Sequence, residues 1–123
     1  MRICDLHDKN DDYIISRIDE NYKINKGIIL EDGFNSVGFI LYNIEDNNSN
    51  KIAHIDYLFI EEESYLETIL NKYEKKMKYN NINMILNHIN FTNIELINQY
   101  IDYKYKIFNI TNNNTKIILY KNL

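Results

Sequence analysis

The stretch VGFILYNIEDNNSNKIAHIDYLFI, residues 37–60, decides the fold. Two runs rich in β-branched, aliphatic and aromatic side chains flank the polar NNSN, whose asparagines tolerate the left-handed backbone that a turn needs. The runs are therefore expected as antiparallel strands. Strict alternation in the second places Ile52, His54, Asp56, Leu58 and Ile60 on one face. One extra residue near Asp56 or Tyr57, a β-bulge, would separate the two polar groups from the apolar pair. Immediately upstream, KGIILED ends at Asp32-Gly33, the dipeptide that most readily supplies the positive φ of a hairpin turn. This adds a third strand, and three antiparallel strands in sequence make a meander.

Outward from the meander the period changes. Before it, Ile14, Ile15, Ile18 and Tyr22 follow Asp11 and Asp12 at helical spacing, which predicts a short capped helix over 11–22. After it, Leu66, Ile69, Leu70, Tyr73 and Met77 share one face of a helix over 64–79, opened by Ser64 and Glu67 in the form of a capping box. INMILNHI returns to strand character, and NIELINQYIDY places Ile94, Ile97, Tyr100 and Ile101 at helical spacing. KYKIFNI and TKIILYKN then flank a turn at Asn112, Asn113 and Asn114. The predicted order is helix, three strands, helix, strand, helix, two strands. This gives an α+β fold on one mixed, mostly antiparallel sheet of about six strands, with helices on both faces. A helix of that length between the third and fourth predicted strands suits a right-handed crossover, so those two strands are parallel neighbours.

Composition narrows the class. The 123 residues have room for one domain, 1–123, and the 45% hydrophobic and 26% charged content is that of a globular chain. Ile (23) and Asn (21) supply over a third of the residues while Gly stands at 3 and Pro at 0, so asparagine is expected in turns where glycine is usual. The net charge of -4 is spread along the chain, and the 14 Lys and Arg form no phosphate-tracking stripe, which excludes nucleic acid as the main partner. Lys72, Lys75, Lys76 and Lys78 read as a solvated helix face. One cysteine, Cys4, forms no internal disulfide, and no apolar run approaches the roughly 18 residues of a membrane span. The opening MRICDLHDKNDD is too polar for a signal peptide, so no membrane partner and a cytoplasmic location are expected. His7, His54 and His88 lack metal-ligand spacing, so no metal is expected, and neither Ser36 nor Ser64 has the flanking glycines of a nucleophile elbow.

The segment 37–60 resembles the central strands of the GNAT N-acetyltransferase superfamily, which read Val-Gly-Phe followed by a strand ending in Leu-x-Val. Downstream, Asn93, Leu96, Ile97, Tyr100, Lys104 and Tyr105 stand at the spacing of that family's second signature, with Lys104 in its glycine place and Tyr105 in its phenylalanine place. The resemblance covers about residues 11–121. It implies acyl transfer from acetyl-coenzyme A to a primary amine on a small molecule or protein. Tyr100 would serve as the acid that protonates the departing thiolate, and Asp56 is a candidate base. The cofactor would lie along Leu58, Phe59 and Ile60 where the third and fourth predicted strands splay apart, then reach Tyr65, Leu66 and Asn93. Asn93 has a second expected role as helix cap.

One segment departs from the pattern. Active members open the long helix with Arg or Gln and three closely spaced glycines, whose amides cradle the pyrophosphate. Here IEEESYLETIL, residues 60–70, has neither glycine nor basic residue and is shorter. Glu61, Glu62 and Glu63 would repel a pyrophosphate, and side chains at Tyr65 and Leu66 would fill the space glycine leaves. The resemblance therefore implies weak or absent cofactor binding. The alternative is a catalytically silent GNAT-like module that binds a protein or small ligand. An aromatic content of 13% would also suit an interface, a homodimer among the candidates.

Overall fold

The computed structural model describes residues 1–6, 11–18, 26–111 and 115–123. The elements are β1 (Arg2–Asp5), α1 (Asp11–Ile15), β2 (Lys26–Asp32), β3 (Asn35–Asn47), β4 (Asn50–Ile60), a 3-10 turn (Glu63–Tyr65), α2 (Leu66–Tyr79), β5 (Met84–Asn90), α3 (Ile94–Asp102), β6 (Lys106–Ile110) and β7 (Lys116–Asn122). The strands form one sheet in the order β1-β2-β3-β4-β5-β7-β6. Of the pairings, β4 with β5 is parallel, while β1 with β2, β2 with β3, β5 with β7 and β6 with β7 are antiparallel. The mixed α+β architecture is the expected one, with one strand more. By residue contacts the chain separates into two interleaved units, residues 1–43 with 56–76 and residues 44–55 with 77–123.

In the first unit, β2 is buried at four consecutive positions, which a strand achieves only when both faces of its sheet are covered. Ile29 joins Ile14, Phe39 and Leu41 in a fully buried cluster, and the rings of Tyr57 and Phe59 stack on Phe39 at 5.8 and 5.5 Å. Alternation sends Ile28 and Leu30 to the opposite face. The helical stripe Leu66, Ile69, Leu70 and Tyr73 of α2 is likewise buried. The Asp32-Gly33 hairpin forms as expected, with Asp32 paired to Asn35 and Gly33 at φ 64°. Gly38 answers to a close approach: a Cβ there would lie 2.8 Å from the backbone oxygen of Phe59.

Three details differ from expectation. β1 was not legible, because it is a four-residue edge strand with exposed ends; it pairs with β2 from Arg2↔Glu31 to Asp5↔Ile28, and Cys4 Sγ donates to Glu31 Oε1 at 2.8 Å. The first helix closes at Ile15, and Tyr22 lies outside the described residues. Ser64 is no N-cap. It sits inside the 3-10 turn, whose cap is the extended Glu62 at φ −142° and ψ 149°, so the Ser64/Glu67 capping box is not what starts α2.

In the second unit, β7 pairs β5 from Met84↔Asn122 to Asn90↔Lys116, and β6 pairs the other edge of β7 with a register shift between Ile107 and Asn109. Left-handed asparagine replaces glycine as the composition suggests: Asn48 (φ 63°) turns β3 into β4, and Asn81 (φ 64°) ends α2 while Ile82 N–H donates to Met77 O at 3.0 Å. α3 ends in the same way. Lys104 takes φ 76° and Tyr105 N–H donates to Tyr100 O at 3.0 Å. The asparagine turn at 112–114 lies outside the described residues.

Candidate functional site

The parallel ladder between β4 and β5 has four rungs, Ile52↔Met84, Ala53↔Ile85, His54↔Leu86 and Ile55↔Asn87. β4 then continues as strand for five residues, Asp56 to Ile60, beyond the last rung. Leu58, Phe59 and Ile60 lie past the end of the ladder, each half-buried.

Tyr100 belongs to α3, which Asn93 starts by accepting the Leu96 N–H on its side-chain oxygen at 3.3 Å. Further along the helix, Tyr100 is fully buried, and its ring meets that of Tyr105 edge-on at 4.9 Å. Its hydroxyl oxygen accepts a hydrogen bond of 2.8 Å from Nδ2 of Asn87. Asn87 is the β5 residue of the last parallel rung, so this bond ties the phenol to the point where the ladder stops. Lys121 Nζ, 5.6 Å from the Tyr105 ring centroid, donates to Tyr103 O at the C-terminus of α3, where a cation suits the helix dipole.

Asp56 is exposed, and both of its carboxylate oxygens accept from Asn43 Nδ2, at 2.8 and 3.0 Å. His54, two residues earlier, has Nε2 at 3.2 Å from Glu45 Oε2.

The turn before α2 is closed on itself. Tyr65 N–H donates to Glu62 O, and Leu66 N–H to Glu63 O, so two amides at the start of the helix are used within the turn. The Tyr65 side chain is half-buried, with its hydroxyl 3.5 Å from Asp32 Oδ2, and Leu66 is completely buried. Glu61 is exposed but paired. Its Oε1 accepts from the Tyr13 hydroxyl at 2.8 Å and pairs with the Arg17 guanidinium at 3.0 Å, while Arg17 lies over the Tyr13 ring at 3.9 Å. Burial, then the Glu61 hydrogen bond, pushes the Tyr13 phenol well above its ordinary range.

Asn87, Asn43, Tyr13 and Arg17 had escaped sequence reasoning. For Asn87 a signal existed, a lone polar residue in the apolar row Ile85, Asn87, Ile89 of a buried strand. For the Arg17 to Glu61 contact, 44 residues apart in sequence, there was none.

No protein-family model matches the chain, and no curated protein matches it in sequence. Solved structures do match. A mutant form of the spermidine/spermine N-acetyltransferase SpeG from Vibrio cholerae superposes with a TM-score of 0.80 at 14% identity, over 98% of this chain and 93% of that one. Arabidopsis thaliana Naa50, solved with the bisubstrate analogue CoA-Ac-MVNAL, gives 0.75 at 15% identity over 98% and 99%. The fold is that of the GNAT N-acetyltransferases. The ribosomal-protein-S18-alanine N-acetyltransferase from Escherichia coli gives a TM-score of 0.69 at 10% identity over 98% and 92%. At such identities the shared property is the GNAT fold, and the chemistry is argued from the residues. Among the described residues no helix is long and apolar enough to cross a membrane.

Proposed function

We propose that the protein transfers an acetyl group from acetyl-coenzyme A to a primary amine. The observation that carries this reading is the end of the parallel ladder at Ile55↔Asn87 while β4 runs on to Ile60. A strand edge past its last rung offers backbone N–H and C=O groups at the spacing that the amides of an extended pantetheine arm can pair with. In this reading Leu58, Phe59 and Ile60 hold the arm. The resemblance assigns Tyr65, Leu66 and Asn93 to the rest of the cofactor, but the turn around Tyr65 does not fit a pyrophosphate, lacking glycine and carrying Glu62 and Glu63.

The chemistry needs one proton removed and one supplied. As the amine nitrogen bonds to the thioester carbonyl carbon, Asp56 takes the amine proton through a water. When the carbon–sulfur bond breaks, the electron pair leaves with sulfur, and Tyr100 gives its phenolic proton to the thiolate. The acceptor is an amine of a small molecule or a peptide, the two kinds named for the structural relatives SpeG and Naa50.

A second reading, a silent GNAT-like binding module, is favoured by one observation: Tyr100 and Leu66 are fully buried, which no reacting group or cofactor contact requires. Thiol release from acetyl-coenzyme A over a panel of small amines and N-terminal peptides separates the two. Turnover above the hydrolysis background supports the transferase, and its absence on every amine supports the module.

A further inference from the structure

Asn87 is the one buried side chain among the described residues that is neither apolar nor a tyrosine, at 6% exposure. It stands in β5 between Ile85 and Ile89, both buried on the same face. Packing alone gives no reason for an amide there, since a leucine fills nearly the same volume without the cost of drying a polar group. The amide is kept from being a liability by the bond from its Nδ2 to the Tyr100 hydroxyl oxygen at 2.8 Å.

We propose that Asn87 is a positioning residue for proton delivery by Tyr100. This rests on the acetyl-transfer reading and adds to it a residue on another element. The direction of the bond decides the role. Because the phenol oxygen receives the Asn87 N–H, its own proton is directed to its other side, as a proton donor's must be. As that proton departs, negative charge grows on an oxygen that already faces a fixed donor in a dry environment, and a hydrogen bond to a charged acceptor is about twice as strong as one to a neutral acceptor. The Asn87 bond therefore tightens along the reaction and lowers the barrier to proton release. Its place on the last parallel rung, opposite Ile55, fixes the position of the amide along β5.

The test compares thiol release by the wild-type chain, Asn87→Leu, Tyr100→Phe and the double variant, with a thermal melt of each. Expected for Asn87→Leu is a fall in kcat of about ten- to a hundredfold with KM for acetyl-coenzyme A within about twofold. In the Tyr100→Phe background the same substitution should leave kcat unchanged, because its effect passes through the missing hydroxyl. Asn87→Thr, whose hydroxyl is too short to reach the phenol, gives the same fall and replaces the leucine variant if that one does not fold. A loss for Asn87→Leu that persists undiminished beside Tyr100→Phe overturns the proposal as mere structural damage. Wild-type turnover that Tyr100→Phe abolishes and Asn87→Leu leaves intact overturns the positioning role and spares the transferase. Turnover indifferent to Tyr100→Phe removes the acid and the positioning role together, and no turnover by the wild type removes the transferase reading itself.

Discussion

The segment from β5 through α3 and the turn before α2 answer to the same family pattern in opposite ways. In the first, each position of the pattern has a folding task of its own. Asn93 caps the helix, Ile97 and Tyr100 bury, Lys104 takes φ 76° in the glycine place, and Tyr105 is buried in the phenylalanine place. In the turn, the glycines of the pattern that the sequence resembles are missing. Glu, Ser and Tyr stand there instead, and the turn closes on its own carbonyls. Positions with a packing task persist in some form because losing them costs stability, whereas positions that serve only a ligand can change without unfolding the chain.

The largest effect that would sharpen this contrast is at Tyr100. Tyr100→Phe should lower turnover by roughly ten- to a thousandfold, since it removes a proton needed mainly in the transition state. Stability should fall by about 1–3 kcal/mol, because the buried Asn87 amide is left without its acceptor. Steady-state kinetics beside a denaturant melt checks both, and equal turnover in the two proteins would reduce Tyr100 to a packing residue.

Next in size is the charge of the turn. Replacing Glu62 and Glu63 by Gln removes two carboxylates from the start of α2 and should tighten coenzyme A by about tenfold, since each carboxylate opposes a phosphate through solvent with a fraction of a kcal/mol to about 1 kcal/mol. Titrations at low salt read this best, because screening erases it at high salt. An unchanged affinity would place the phosphates elsewhere.

How far Glu61 belongs to the fold rather than to a ligand is readable in the alkaline limb of stability. Burial first, then the hydrogen bond to Glu61, raises the Tyr13 phenol above its ordinary value near 10.0, and burial does the same for Tyr42 against the opposing charge of Lys76. A phenol whose folded pKa is raised contributes stability fully below the unfolded pKa and loses it as pH rises, because the unfolded chain releases the proton first. Urea midpoints should therefore hold to about pH 10 and fall above it, and Tyr13→Phe should flatten that fall. A limb equally steep in the variant would mean that Tyr13 is not held by Glu61.

The smallest expected change lies in the retained segment. Lys104 holds a left-handed φ that glycine adopts without strain, so Lys104→Gly should stabilise by about 1 kcal/mol in a thermal melt. A destabilised variant would show that the lysine side chain makes up for the strain.

Much of the architecture was legible because long strands and helices announce their period. Residues 37–60 and the stripe Leu66, Ile69, Leu70, Tyr73 and Met77 fold as that period dictates. β1 was not, since four residues with Arg2 and Asp5 at the ends carry no alternation to read. Ser64 misled because a Ser three residues before a Glu has the same spelling inside a 3-10 turn as at a cap. The site was half legible. Asn93 and Tyr100 belong to one helix and its cap at fixed spacing, while the partners that define the surroundings of the site come from other elements: Asn87 to Tyr100, Asn43 to Asp56, Arg17 to Glu61. Such contacts are made by the sheet order, and a single sequence does not spell them.

A calorimetric titration of the protein with acetyl-coenzyme A tests the central claim most directly. A strand edge that takes the pantetheine arm, beside a turn that does not take the pyrophosphate, should give saturable one-to-one binding with a dissociation constant in the high micromolar range, about −4 to −5.5 kcal/mol. The absence of saturable heat up to millimolar ligand would contradict an acetyl-transfer site, and low-micromolar affinity would contradict the weak turn.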